Sequence, residues 1–345
     1  RAKRTCPPPR DNHRPQSSRV VEKESFGAAL LYFTGSKAHN IHLRKLAIEL
    51  GYKINEYGIF KDNVKLAGRL EEDIYQKLGL IYIEPELRED TGEIDAAKKN
   101  QLPKLVNLKQ IRGDLHSHTN ASDGQNSLEE MAREAKRLGL EYLAITEHSK
   151  RVSIARGLDA KQLEKHIINI DKFNELQAGI TLLKGIEVDI LADGTLDLPD
   201  SILKMLDVRV CSIHYNLNLS IEKMTERIIR AMDNPYFNIL AHPTGRLINK
   251  RAASPIDLEK IMLAAKERGC FLEINCQPDR MDLEGEHCKM AKEIGVKLAI
   301  STDAHSTNQL HTLQLGLSQA RRGWLEKSDI INTMSWKSLQ GYFKI

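Results

Sequence analysis

Seven short apolar runs constrain this chain more than any other feature of it. They fall at residues 111–115, 141–146, 180–187, 206–213, 237–241, 270–275 and 297–301. Stretches with helical spacing separate and follow them, at 127–138, 159–178, 220–232, 256–268, 284–294 and 309–322. The first of these opens on Ser127 and Glu130, a capping-box pair. It carries Leu128, Met131, Ala132, Ala135 and Leu138 on one stripe and stops at Gly139. A strand needs a long crossover to reach a parallel neighbour, and a helix supplies one. Seven strands alternating with helices therefore predict an α/β fold, with a parallel sheet closed into a barrel.

The residues just past those runs are chemically biased. His116 and His118 follow the first, Glu147 and His148 the second, Glu187 ends the third, and His214 and His242 follow the fourth and fifth. Asp303 and His305 follow the seventh, while Asp123 sits on the loop after His118. In extended chain, side chains two apart share a face, so His116 and His118 point the same way. In a parallel barrel all strand C-terminal ends lie on one face, where the βα loops build a site. His116, His118, Asp123, His148, Glu187, His214, His242, Asp303 and His305 are then candidate ligands of one metal centre. Imidazole and carboxylate donors without thiolate suit Mn, Zn or Fe better than Mg or Ca. Nine donors exceed one ion's needs, so two or three ions are expected, a number suited to phosphate-ester hydrolysis. Glu147 reads equally as an outer partner of the centre or as a surface cap.

Arg246 and Arg280 also stand just past strand ends. A guanidinium there can clamp a phosphate with two parallel hydrogen bonds, or can pair with a rim carboxylate such as Asp279 or Asp282. The remaining histidines carry no chemistry in this reading. His13 lies in the tail, His166, His287 and His311 are half-exposed on helices, and His39 and His42 belong to the N-terminal module.

Charge and cysteine usage narrow the setting. Of a formal net charge of +4, all is accounted for by residues 1–18, which hold five arginines and lysines against Asp11. That basic, Pro-rich stretch reads as a disordered tail, with a nucleic-acid-binding arm as the other possibility. Nucleic-acid contact elsewhere must come from local patches. No apolar run reaches the length of a membrane span. Five cysteines without CxxC spacing point to a reducing cytoplasm, with Cys211, Cys270 and Cys276 as small core residues. Residues 19–107 read as a separate small α+β module and linker. Its expected parts are a helical stretch at 25–50 broken by Gly35, a hairpin at 54–66 and a helix at 71–78. Irregular chain runs on to a boundary near residue 107.

The motifs RGDLHSHTNASDG, AITEHS, GIEVDI, SIHYN, AHPTGR, EINCQPDRMDL and STDAHS together resemble the PHP (polymerase and histidinol phosphatase) domain. The form that ends prokaryotic family X DNA polymerases is the nearest in pattern, and ARRGWLEKSDIINTMSWKSL resembles that subgroup as well. SFGAALLYFTGSKAHNIHLRKLA, INEYGIF and PELREDTGEIDAA are similar to the end of the palm and the thumb of the same polymerases. The resemblance implies a distorted seven-stranded (β/α)7 barrel over residues 108–345, a trinuclear site built on the nine ligands, and a prokaryotic, cytoplasmic protein. It also implies 3′–5′ exonuclease or phosphodiesterase activity on DNA ends or gapped duplex, with no obligate protein partner. Catalytic roles would fall to Arg246, Arg280 and Asp303. Tyr32, Phe33, Thr34 and Gly35 match the motif that shapes a nucleotide's sugar pocket, and Asn40 matches a base-contacting position. Lys37 and Arg44, with Lys45 and Lys53, would meet DNA phosphates. The alternative is a small-molecule phosphatase of the histidinol-phosphatase type. One departure matters: the palm carboxylates that polymerisation requires have no counterpart in this sequence, since Ser17-Ser18 stand where the third belongs. Nucleotidyl transfer by this stretch alone is not expected.

Overall fold

The computed structural model describes residues 20–176 and 179–343, so the expected disordered tail falls outside the described residues. The chain divides into two compact units between Leu102 and Pro103.

In the first unit, helices α1 (Phe26–Thr34) and α2 (Lys37–Glu49) are separated by Gly35, whose φ of +73° suits a residue without a Cβ. Ser36 then caps α2 by accepting the His39 N–H at 3.2 Å. Gly27 lets α1 approach the segment before the next helix, because a Cβ there would lie 2.3 Å from the Leu70 carbonyl carbon. Strands β1 (Lys53–Asn55), β2 (Gly58–Lys61) and β3 (Val64–Ala67) form an antiparallel meander, one strand more than the expected hairpin. Asp62 and Asn63 both take positive φ, as a tight primed turn requires. Helix α3 (Glu71–Lys77) follows, and then α4 (Glu93–Lys98), which overlaps the stretch read as irregular. Six residues are too few to hold a helix by propensity alone. Its first residue is fixed instead by tertiary contact: the buried Glu93 carboxylate accepts from His39 Nδ1 at 2.6 Å and from the Asp90 and Thr91 amides. His39 also meets the Tyr75 hydroxyl at 2.9 Å, so it is a core residue of this unit.

The second unit carries β4 (Gly113–Asp114), α5 (Leu128–Arg137), β5 (Tyr142–Ile145), α6 (Ala160–Leu176), β6 (Thr181–Asp189), α7 (Asp200–Leu203) and β7 (Val208–Ser212). There follow α8 (Ile221–Met232), β8 (Ile239–Leu240), α9 (Leu258–Arg268), β9 (Phe271–Asn275), α10 (Gly285–Ile294), β10 (Leu298–Ser301) and α11 (Leu313–Arg322). All seven strands are parallel and ordered β10-β9-β8-β7-β6-β5-β4, the barrel order expected. β4 and β8 hold only two residues each, fewer than their apolar runs suggest, because the chain leaves the ladder early to deliver His116 and His242.

The ring is closed without a regular ladder. Between β4 and β10 the Asn332 side chain donates to Gly113 O at 2.7 Å and Ile300 O at 2.8 Å, and accepts from Ile300 N at 3.1 Å. Higher on the same seam the buried Asp114 carboxylate accepts the His116 and Thr302 amides, and His118 N donates to Ala304 O at 2.8 Å.

Strand periodicity explains where chemistry sits. Inside the barrel, Ala144, Leu183, Val208, Val210, Phe271 and Ala299 pack with Ile331, Leu339 and Phe343 of the C-terminal segment. Two or four residues further along the same strands, the same face carries Glu187, Ser212, Glu273, Asn275, Ser301 and then Asp303. The barrel is thus oily at one end and polar at the other. A second apolar layer joins the sheet to its helices, and it includes Cys211, Cys270, Cys276 and Cys288 as buried free thiols.

Candidate metal centre

All nine expected ligands meet at the polar end. Glu187, from β6, is the hub. Its Oε2 lies 2.8 Å from His148 Nδ1, 3.5 Å from His116 Nε2 and 3.6 Å from His118 Nε2. Its Oε1 lies 3.0 Å from His242 Nε2 and 3.4 Å from His214 Nε2. Asp303 Oδ1 stands 3.1 Å from His118 Nε2 and 3.4 Å from His116 Nε2. Asp123 faces His148 Nε2 at 3.5 Å and His305 Nε2 at 3.4 Å. Three groups of donors result, each close enough to share an ion: His118–Asp123–His148–His305, His116–His118–Asp303 and His148–Glu187–His214.

The donors are built for a cation. His116 Nε2, His118 Nδ1, His148 Nδ1 and Glu187 Oε2 are buried and make no hydrogen bond, although the last two lie only 2.8 Å apart. Buried polar atoms left unpaired cost about 1–3 kcal/mol each, and a bound ion removes that cost. The protonation states divide. Burial, together with the charges of His148 and His305, pushes His118 down to about 3, leaving the neutral imidazole a metal needs. Burial opposes ionisation of Glu187 and Asp303, yet the surrounding imidazoles hold both well below the carboxylate range. Burial also disfavours charge on His116, but Asp303, Glu273 and Glu187 together drive its pKa well up. Against burial, Glu187, with Asp123 and Asp189, likewise raises His148 to about 10 and His214 to about 9, so protons stand in for a cation there and would leave when an ion binds.

An outer ring of side chains aims the inner one, and the sequence reading missed most of it. His116 Nδ1 pairs with Glu273 Oε1 at 2.7 Å, while Glu273 Oε2 accepts the His242 amide at 2.7 Å and Asn275 Nδ2 at 3.0 Å. Asn275 also donates to Asp303 Oδ2 at 3.0 Å, and His214 Nδ1 pairs with Asp189 Oδ1 at 2.9 Å. Both acids carried a usable signal. Asp189 lies two residues past Glu187 on one strand, and Glu273 is a charge inside an otherwise apolar run. Glu147 is buried and is no surface cap. It accepts from Thr119 N at 3.0 Å and from the Thr119 and Ser122 hydroxyls, bracing the loop that carries Asp123. His166, expected to be half-exposed, is buried with Nε2 3.6 Å from Glu147. His242 and Asp303 hold φ of +27° and +52°, backbone that ordinary residues adopt at a cost where function demands it.

The two arginines differ. Arg246 is fully engaged: Nε donates to Arg280 O at 2.8 Å, Nη2 to Met281 O at 2.6 Å, and Nη1 pairs with Glu284. Arg280 is nearly the reverse. Its guanidinium makes no hydrogen bond among the described residues, Nη1 is buried and unpaired, and Nε lies 3.9 Å from Asp303 Oδ2. In the first unit, Tyr32, Phe33 and Thr34 end α1, with Phe33 exposed, and Gly35 makes the turn. Asn40 Nδ2 ties back to Tyr32 O at 2.8 Å, Arg44 stacks on the Tyr32 ring at 5.2 Å, and Lys37 is exposed at the start of α2.

Comparison with known proteins follows the same division. The DNA polymerase beta thumb model matches residues 29–89, and the PHP domain model matches residues 114–277. The "DNA polymerase/3′-5′ exonuclease PolX" of Bacillus subtilis is 39% identical over 331 residues, 94% of this chain and 57% of that one. The chain therefore spans little more than half of that relative's length. A probable phosphatase of Thermoanaerobacter sp. is 35% identical over 231 residues, 64% of this chain and 89% of that protein. A crystal structure of histidinol phosphate phosphatase from Lactococcus lactis, complexed with zinc, L-histidinol and phosphate, overlaps at 16% identity. The overlap covers 61% of this chain and 94% of that one, with a TM-score of 0.42. The matched domain model and the extent of the phosphatase relative show that the chain belongs to the PHP family of metal-dependent phosphoesterases, with a polymerase-beta-type thumb preceding the barrel in sequence.

Proposed function

We propose that this chain hydrolyses phosphodiester bonds at DNA 3′ ends, releasing nucleotides in the 3′–5′ direction. The observation that carries the reading is Arg280: a largely buried guanidinium without a hydrogen bond, beside Asp303 and the ligand cluster. Such a group is stabilised by an anion, and a phosphate suits its planar fork. DNA enters the argument through the thumb match and through the exonuclease name of the B. subtilis relative.

Two or three ions of Mn, Zn or Fe, held by the nine donors, would polarise the phosphoryl oxygens and acidify a water. The chain's own residues do the rest. Glu273 and Asp189 fix the His116 and His214 rings so that each presents Nε2 to the centre. Arg280 orients the phosphate and offsets the charge that builds on it as the bond breaks. Arg246 clamps the 280–284 segment and so positions Arg280. Lys37 and Arg44 on α2 hold DNA phosphates, and the α1 end with Tyr32, Phe33, Thr34, Gly35 and Asn40 meets the nucleotide. Free buried cysteines fit a reducing cytoplasm, and no helix of the described residues is long and apolar enough to cross a membrane.

The test sets metal-loaded protein against a 3′-recessed DNA end and against histidinol phosphate, side by side. Stepwise loss of 3′ nucleotides is expected. Turnover of histidinol phosphate alone would favour the small-molecule phosphatase.

A further inference from the structure

Beyond β8 the chain forms a narrow rim. Leu247 and Arg251 pair as a small antiparallel bridge, and Ile248 N donates to Asp279 O at 2.6 Å in the loop after β9. With Arg246 gripping Arg280 O and Met281 O, the two loops are fastened into one wall. The wall lines a cavity of about 580 Å3 whose edge begins at Thr244, two residues past the ligand His242. The carboxylates in this wall already have partners: Glu284 takes Arg246 and Asp279 takes Lys250.

Arg251 is left without one. Its Nε and Nη2 both donate to Gly245 O, at 3.0 and 2.6 Å, which fixes the guanidinium plane. No carboxylate pairs with it among the described residues, and Nη1 makes no hydrogen bond there. Its neighbour is another cation: burial first, and then the charge of Arg280, hold the Arg251 pKa below its ordinary value. Arg251 and Arg280 sit on two loops tied together by the Ile248–Asp279 and Arg246–Arg280 hydrogen bonds, and neither guanidinium is hydrogen-bonded to a carboxylate. Arg251 is exposed, so the free edge of its guanidinium is open to an incoming anion.

We propose that Arg251 forms a second phosphate subsite beside Arg280, holding the phosphate next to the scissile one in a nucleic-acid strand. The proposal rests on the phosphodiesterase reading and narrows it: the favoured substrate carries at least two consecutive phosphates. A mononucleotide ester or an aryl phosphate reaches Arg280 alone. An oligonucleotide reaches both arginines, and the fixed plane of Arg251 selects the strand direction that presents its next phosphate to Nη1.

The test pairs activity with binding, using the whole chain. Activity compares a single-stranded oligothymidylate with bis(4-nitrophenyl) phosphate, which has one phosphorus. In Arg251→Gln the ratio of kcat/KM for the oligonucleotide to that for the small diester is expected to fall about tenfold through KM, and Arg251→Lys should restore most of it. Binding is read without turnover, by anisotropy of a labelled oligothymidylate on metal-free protein across a salt series. Loss of one phosphate contact should flatten the log–log salt slope by about 0.7. An unchanged ratio and slope, or equal loss on both substrates, overturns the subsite. Wild-type protein that cleaves histidinol phosphate but no oligonucleotide overturns the phosphodiesterase reading itself, before any variant is made.

Discussion

His116 and Glu273 face each other across the barrel interior, Nδ1 to Oε1 at 2.7 Å, and both are fully buried. The carboxylate holds the ring so that Nε2 looks into the centre, and its other oxygen anchors the His242 amide. Glu273 therefore aims the ring of one candidate ligand and holds the backbone of a second. Glu273→Gln is expected to lower metal affinity about 10- to 100-fold while the fold persists. Competition with a chromophoric chelator reads this directly, and wild-type affinity in the variant would remove Glu273 from the centre.

Metal content itself should be two to three transition-metal ions per chain by elemental analysis. His116→Ala and Asp303→Ala should each lower that number and abolish hydrolysis, and chelation of the wild type should do the same reversibly. A chain purified without metal that still cleaved phosphodiesters would contradict the assignment.

Arg246 and Arg280 should separate cleanly. Arg280→Gln is expected to cut kcat/KM by roughly 10²–10³ with little change in Tm, the size of effect seen when one donor to a developing charge is lost. Arg246→Gln strips partners from two carbonyls and Glu284, so a loss of about 2–4 kcal/mol of stability is expected. Thermal melts and kinetics on both variants decide, and the reverse pattern would exchange the two roles.

Asp282 supplies a pH signature. It is fully buried, accepting from Thr244 N at 3.0 Å and Gly245 N at 2.9 Å. Burial raises its pKa from 3.8 to about 7, more than those hydrogen bonds lower it. Between those two values the folded chain holds a proton that the unfolded chain has lost. Its stabilising share is thus complete below the lower value, declines as pH rises and is gone above the upper one. Relative to wild type, Asp282→Asn should gain about 1–3 kcal/mol in stability between pH 5 and pH 8. Denaturant titrations at several pH values test this, and a pH-independent difference would falsify it.

The gathering of nine candidate donors at one end was legible because strand geometry is simple. Residues just past apolar runs share one face of a parallel barrel, so nine donors could be named without coordinates. Glu273 and Asp189 escaped because a carboxylate inside or just after a strand looks like any other until the imidazole it faces is known. Arg246 illustrates a different limit. Its position past a strand end is visible in the sequence, but Glu284, lying 38 residues on, decides what its guanidinium does. Helix α4 was hidden because a buried partner, His39, and not its own propensity, holds it.

Asn332 gives the barrel a keystone. One lip of the seam bears His116 and His118, and the other bears Asp303 and His305, so this carboxamide, with Asp114 and the His118–Ala304 hydrogen bond, sets the span between four of the centre's nine donors. Its residue belongs to the same terminal stretch whose Ile331, Leu339 and Phe343 stopper the opposite mouth. Metal affinity and the anchoring of that stretch would thereby be linked quantities: loosening the stopper would widen the seam, and ions held by donors on both lips would tighten the stopper in return.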